Sequence, residues 1–393
     1  MRQRLISRSP DLKKLRDEGY EVNVDSGYLI ITHVPYVTER REVAYGTLVS
    51  DLTLNGDITV RPQDHVVKFA GETPCDRDGV PLDRVINSHL NQAITSELTV
   101  THLFSSKPPA GYAHYFEKMT TYISILGAPA QAIDPTATAT TFPVVQDDDA
   151  ESVFKYMDTA SSRAGITAVT EKLQLGKVAI IGLGGSGVYI LDFVAKTPVR
   201  EIHLWDDDLF LQHNAFRAPG AASVEELRVA QCKAVHWQAQ YARMRHGIVA
   251  HEGFLDASNV SELQGMDFVF LSLSSGEAKR LTIPKLEAWA IPFVDVGMGL
   301  YEADGALAGQ LRTTTSTDAQ RDHVHTKKRI PFTDGETDDE YSQNVQIVEL
   351  NALNAALAVV RWKKLFGFYH DLEHEHFSVY TIDGNHVLNE DQA

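Results

Sequence analysis

The sequence predicts an α/β protein, a doubly wound and mostly parallel sheet preceded by a smaller α+β domain. Three observations carry this reading. From about residue 151, short apolar runs alternate with segments long enough for helices, the pattern of strands buried on both faces by crossover helices. The runs are "KVAIIGLGG", "EIHLWDD", "DFVFLSLS" and "PFVDVGMG". The first of them ends in a glycine-rich turn, with Gly182, Gly184, Gly185 and Gly187 before a helical segment. Residues 1–140 lack the alternation and hold β-rich runs instead. The expected division is therefore 1–140 and 151–393, because "IDPTATATTFPVVQDDD" between them has the composition of a linker.

In chain order, "SPDLKKLRDEGY" reads as a short helix capped by Ser9 or Asp11. "GYLIITHVPYV", "VAYGTLVSDLTL" and "HVVKFAG" read as strands, followed by the turn "DRDGVPL" and the apolar run "LTVTHLF". Residues 112–132 have helical periodicity. In the second domain, "DAQRDHVHTKKRIPFTDGETDDEY" (318–341) is polar and reads as a mobile loop. "NVQIVELNALNAALAVVRWKKLFGF" reads as a long helix whose apolar face suits a core or a dimer interface.

The bulk numbers bound the function. A chain of 393 residues, 43% hydrophobic and 23% charged, supplies cores for two or three domains. A net charge of -17 argues against nucleic acid or an anionic membrane as the main partner. Cys75 and Cys232 are the two cysteines, far apart, which excludes a disulfide framework or a cysteine zinc site and fits a reducing cytoplasm. The N-terminus lacks the apolar segment of a signal peptide, and no window has the length of a membrane span. A cytoplasmic protein is expected.

The glycine turn satisfies GxGxxG at Gly182, Gly184 and Gly187, between a strand and a helix, which is the Rossmann-like arrangement that cradles a phosphate on a helix N-terminus. Asp206 ends the next strand, where a carboxylate accepts hydrogen bonds from a ribose. These features specify a nucleotide and leave open which one. An NAD(P)-dependent oxidoreductase fits them locally. It does not explain the polar set that follows: Asp208, Asn214, Arg217 and Lys233. Free β- and γ-phosphates carry more charge than an esterified pyrophosphate and need side-chain cations. A single Arg or Lys is usually surface; the ordered set is the signal.

"GLGGSG", then "DDDLFLQHNAFR", then Lys233 resemble the ThiF/MoeB/HesA adenylyltransferases, whose fold is shared with ubiquitin-activating enzymes. The resemblance spans roughly residues 155–315 and continues to Gly309 and Gln310 in "PFVDVGMGLYEADGALAGQL". It implies binding of ATP with Mg²⁺ and adenylation of the C-terminal glycine of a ubiquitin-like or sulfur-carrier protein, in a bacterial ubiquitin-like conjugation system. The nucleotide would contact Gly182, Gly184, Gly185, Gly187, Asp206, Asp208 and Ser275. Asn214, Arg217 and Lys233 would face the phosphates. Arg163, in "TASSRAGITAV", would reach the partner's ATP in a homodimer.

Two departures stand out. Ser272 and Ser275 occupy positions where the family has carboxylates, leaving magnesium to the phosphates and water or to a neighbour such as Glu277 or Asp295. No cysteine follows residue 232, so no thioester on this domain is expected. In the first domain, "RPQDHVVKFAGETPCDRDGVPLD" resembles ubiquitin-conjugating enzymes but has Pro81, with no cysteine, beside Leu82. The resemblance implies a partner-binding domain without transfer chemistry; a β-rich module of unrelated origin is the other reading. Cys75 lies between Pro74 and Asp76, with Asp78 close by, a field that opposes a thiolate despite Arg77. His323 and His325, and the cluster His370, Asp371, Glu373, His374 and His376, lack a zinc-binding spacing and read as solvated loops. A non-catalytic ATP-binding adaptor is a further alternative.

Overall fold

The computed structural model describes residues 2–147, 152–332 and 345–393. They divide into two compact units, Met1–Ser152 with Tyr156–Arg163, and Val153–Lys155 with Ala164–Ala393.

The first unit begins with helices α1 (Arg2–Arg8) and α2 (Pro10–Asp17). Its strands are β1 (Glu21–Asp25), β2 (Tyr28–Val37), β3 (Val43–Asp51), the short pair β4 (Leu54–Asn55) and β5 (Ile58–Thr59), β6 (Val66–Ala70), β7 (Ile86–Ala93) and β8 (Thr99–Ser105). Six of them form an antiparallel sheet in the order β1-β2-β3-β6-β8-β7. Helix α3 (Tyr115–Ile133) covers one face. It buries Tyr115, Met119, Tyr122 and Leu126, at helical spacing, against sheet residues such as Ile31, Leu48 and Phe104. The two tyrosine hydroxyls are satisfied inside, accepting from the Thr53 and Ser106 amides at 2.7 Å each. Ser9 does sit at the N-cap of α2, but its hydroxyl accepts from the Thr59 amide at 3.1 Å rather than from its own helix. Strand β7 escaped the sequence reading because "INSHLNQA" is an edge strand with mostly exposed residues and no apolar alternation.

Two expectations change here. Residues 134–147, with linker composition, pack on the first unit: Ala137 and Ala139 are buried, and the Phe142 amide donates to the Gly19 carbonyl at 3.0 Å. The rest of that stretch, 148–149, lies outside the described residues. Arg163 ends helix α4 (Thr159–Arg163) in this same unit, its guanidinium 5.3 Å from the Phe142 ring centre. Cys75 is fully buried, its thiol donating to the Thr73 carbonyl at 3.4 Å, and burial together with Glu39, Asp76 and Asp83 pushes its pKa up. In the folded protein at neutral pH, Cys75 is expected to resist iodoacetamide and to react only on denaturation, as intact-mass measurement would read directly.

The second unit holds α5 (Thr167–Thr170), β9 (Lys177–Ile181), α6 (Gly185–Val194), β10 (Glu201–Trp205), α7 (Gln212–Ala215), α8 (Val224–Val229), α9 (Lys233–Tyr241), β11 (Ile248–His251), β12 (Phe268–Leu271), α10 (Gly276–Ala288), β13 (Phe293–Ala303), β14 (Ala306–Ser316), α11 (Asp322–Thr326), α12 (Val348–Leu365), β15 (Glu375–Thr381) and β16 (His386–Gln392). The eight strands run β11-β10-β9-β12-β13-β14-β15-β16. The first five are parallel, and β14 to β16 extend the sheet antiparallel. The doubly wound sheet is explained by period-two burial on both faces. Val178, Ile180, Leu204 and Phe270 pack toward Leu191 and Trp362, while Ala179, Ile181, Val269 and Leu271 pack toward Ile283 and Leu286.

The segment expected as a mobile loop is structured as far as it is described. Residues 322–326 form α11, His323, Val324 and Ile330 are buried, and Arg329 pairs with Asp391 at 2.7 Å. Residues 333–341 of that loop lie outside the described residues. In "HDLEHEHF" His370, Leu372, Glu373 and His374 are exposed, as expected of a solvated loop, whereas Glu375 and His376 are buried. Arg361 and Lys364 of α12 pair with Asp371 and Glu375, and strand β15 starts at Glu375. Ion pairing replaces the missing apolar residues.

His376, 3% exposed, donates from Nδ1 to the His374 carbonyl at 3.0 Å, and its Nε2 lies 2.9 Å from the Thr317 hydroxyl. Burial, with Arg361 and His323 nearby, pushes its pKa down to about 4, against the smaller opposing pull of the His374 hydrogen bond and Asp371. A histidine kept neutral in the native state binds its proton only after unfolding, so its contribution is complete above about pH 6.5 and is lost as pH falls toward 4. His236, His251 and His323 are shifted in the same direction, chiefly by burial. The melting temperature of this unit is expected to fall between pH 6.5 and 4, with less of the fall in His376→Asn. A melting temperature flat across that range contradicts this account. Among the described residues, no helix is long and apolar enough to cross a membrane.

Candidate nucleotide site

The C-terminal ends of the parallel strands open into a cleft of about 1120 Å³. Such crevices are where ligands bind in open α/β sheets. Strand β9 ends at Ile181, and the chain turns at Gly182 with φ +88°. A side chain there would be strained, and its Cβ would stand 2.5 Å from the Ser272 carbonyl oxygen. Gly184 caps α6, and Gly185 and Gly187 lie in its first turn. Gly182, Gly184 and Gly185 line the cleft.

Asp206 and Asp208 follow β10. The Asp206 carboxylate accepts from the Leu183 amide at 2.6 Å and the Asp208 amide at 3.0 Å. It is nearly buried, and desolvation raises its pKa against the opposing effects of Lys233 and those amides. Asp206 therefore tethers the glycine turn to the neighbouring strand. Asp206, Asp207 and Asp208 all line the cleft, and Asp208, with its side chain 69% exposed, is the more open of the two carboxylates paired with Lys233. Lys233, buried at the start of α9, sets its ammonium 2.5 Å from Asp208 and 3.6 Å from Asp206. Cys232 caps that helix, and its thiol donates to the Asp206 carbonyl at 3.2 Å.

Arg217 lines the cleft with its Nε buried and, among the described residues, without a hydrogen-bond partner. A buried N–H left unpaired costs about 1–3 kcal/mol, a cost that an acceptor in the cleft would relieve. Asn214 does not line the cleft. It is buried, and its Oδ1 accepts from the Leu211 amide at 2.8 Å, shaping the turn that presents Arg217. Ser275 caps α10, accepting from the Ala278 amide at 3.3 Å, and lines the cleft with Ser272. Arg163 belongs to the first unit.

The sequence reading missed Lys279 and Arg312, which also line the cleft. Between them Asp295, fully buried, lies 3.0 Å from the Lys279 ammonium and 2.6 Å from the Arg312 guanidinium. Asp295 is thereby committed to two cations and is unsuited to hold a metal. Glu277 is exposed and does not line the cleft. Asp206, Asp207 and Asp208 bring carboxylate oxygens within 4.8 Å of one another, with the Lys233 ammonium already among them. The described residues thus do not fit a protein-held Mg²⁺.

A family model described as a domain of unknown function (DUF6791) matches residues 10–159. No curated protein matches the chain in sequence. Among solved structures, the chain is similar to E. coli MccB at 16% identity and a TM-score of 0.46, covering 60% of this chain and 67% of that one. A structure described as the microcin C7 biosynthetic enzyme MccB with N-formylated MccA gives 16% identity and a TM-score of 0.46, covering 60% and 70%. PaaA gives 16% identity and a TM-score of 0.43, covering 57% of this chain and 75% of that one.

Proposed function

We propose that this protein is an ATP-dependent adenylyltransferase acting on the C-terminal glycine carboxylate of a ubiquitin-like or sulfur-carrier protein, within a bacterial ubiquitin-like conjugation system. The observation that carries the reading is the unpartnered Nε of Arg217 in a cleft that also presents the glycine turn, Asp208 and Lys233. The turn and the N-terminus of α6 receive phosphate oxygens, and Asp208 takes a ribose hydroxyl. A carboxylate oxygen of the substrate attacks the α-phosphorus. The bond from that phosphorus to the bridging oxygen breaks, and pyrophosphate leaves with the electron pair. Arg217 and Lys233 neutralise the charge that builds on the departing group. Magnesium enters with the phosphates of the nucleotide, and no residue of the chain is assigned to it. Asn214 acts by holding the loop of Arg217, and Ser275 by capping the helix that walls the cleft.

The same proposal has two copies pairing, with Arg163 of each serving the other's nucleotide, and gives the first unit the binding of a partner protein. The test is isotope exchange between pyrophosphate and ATP in the presence of Mg²⁺ and small β-grasp proteins ending in glycine. Exchange should depend on the partner and vanish when its terminal glycine is removed. No exchange with any such partner, or exchange indifferent to that glycine, defeats the proposal. NADH binding in place of ATP would favour the oxidoreductase reading.

A further inference from the structure

Lys279 is a buried ammonium, 3% exposed, in the second turn of α10. An ammonium has three N–H donors. Among the described residues its one ionic partner is Asp295, and Asp295 is shared with Arg312. Arg312 is better satisfied: its Nη1 donates to the Thr314 hydroxyl at 2.6 Å and the Arg329 carbonyl at 2.7 Å. Two cations against one carboxylate leave a single positive charge in a wall of the cleft, and the donors left over are those of Lys279. Burying an unbalanced charge is costly unless something neutralises it. The uncompensated ammonium therefore marks a place for an anion.

The partners of this charge differ from those of the phosphate end: Lys279 pairs with Asp295, and Lys233 with Asp206 and Asp208. Arg217 and Lys233 stand with the glycine turn and three aspartates. Lys279 lines the cleft against Asp295, whose strand continues through Val296, Gly297, Met298, Gly299 and Leu300, all of which also line it. Among the described residues, no aspartate or glutamate lines the cleft on that strand. Because the Ser272 carbonyl touches Gly182, the two ends adjoin. A lining of small, apolar and neutral polar residues, with two glycines and a lone net cation, suits a slim, uncharged chain that terminates in an anion.

We infer that Lys279, held by Asp295 and backed by Arg312, is the anchor for the terminal carboxylate of the peptide tail that is to be activated. The inference rests on the adenylation reading, and it names the residues that select an acid and place its oxygen beside the α-phosphate. Lys279 is a substrate-binding residue, whereas Asp295 and Arg312 position it.

The test uses the full chain loaded with α,β-methylene-ATP, which blocks turnover, and calorimetric titration with triglycine or with triglycine amide. The acid is expected to bind at least tenfold more tightly than the amide. Lys279→Met should bring the acid down to the level of the amide, and Lys279→Arg should keep most of the preference. Affinity for α,β-methylene-ATP should stay within twofold in both variants, which also shows that the cleft is folded. Equal binding of acid and amide, or an unchanged preference in Lys279→Met, overturns the inference while nucleotide binding stands. Failure of the unaltered protein to bind the nucleotide overturns the adenylation reading itself.

Discussion

Arg217→Ala is expected to slow pyrophosphate–ATP exchange by about 10²–10³-fold, the scale of removing one electrostatic donor from a developing charge. The same variant should not lose stability. Its Nε has no partner among the described residues, so truncation removes a buried unsatisfied donor and breaks no hydrogen bond of that atom. Lys233→Ala should separate from it sharply. The Lys233 ammonium sits against both Asp206 and Asp208, and without it those carboxylates face each other and the phosphates unopposed. Exchange should fall at least as far, nucleotide affinity should drop as well, and the melting temperature should fall. Parallel melting and exchange measurements decide the matter. An Arg217→Ala protein with full exchange, or one as destabilised as Lys233→Ala, would contradict the assignment of the guanidinium to the phosphates.

Asp295→Ala is expected to cost about 3–5 kcal/mol of stability, the range for breaking a buried ion pair by removing one partner. The side chain is fully buried, and its loss would leave Lys279 and Arg312 with like charges and no counter-ion. Chemical denaturation followed by tryptophan fluorescence isolates the effect, because all four tryptophans, Trp205, Trp237, Trp289 and Trp362, lie in the second unit. The midpoint should move to lower denaturant at an unchanged slope. A shift of less than about 1 kcal/mol would mean that water reaches the two cations and screens them.

Legibility in the sequence followed how locally each feature is determined. The parallel strands were legible because a strand buried on both faces must be apolar at every position, as Val178 to Ile181 are. The glycine turn was legible because its backbone demands a residue without a side chain. The antiparallel extension was harder. Thr313, Thr314 and Thr315 are buried in β14, yet a run of threonines carries no apolar signal. At the site, the spacing of Asp206 and Asp208 was visible, but the exchange of roles between tether and exposed carboxylate depends on a lysine 25 residues away. Lys279, Asp295 and Arg312 meet only after β13 pairs with β14 in the register that opposes Asp295 to Thr314 and Gly297 to Arg312. No local pattern announces that register.

The glycine turn also depends on distant chain. The Gly185 amide donates to Gln346 at 3.2 Å, the Ser186 hydroxyl donates to Asn351 at 3.2 Å, and a Cβ on Gly185 would collide with the Asn351 side chain. Translation delivers Gly185 some 160 residues before those partners. A ribosome that has made the strand and the turn has therefore not yet made a competent pocket. Nascent chains stalled before α12 emerges should fail to retain nucleotide, and capture should begin only once that helix has left the exit tunnel.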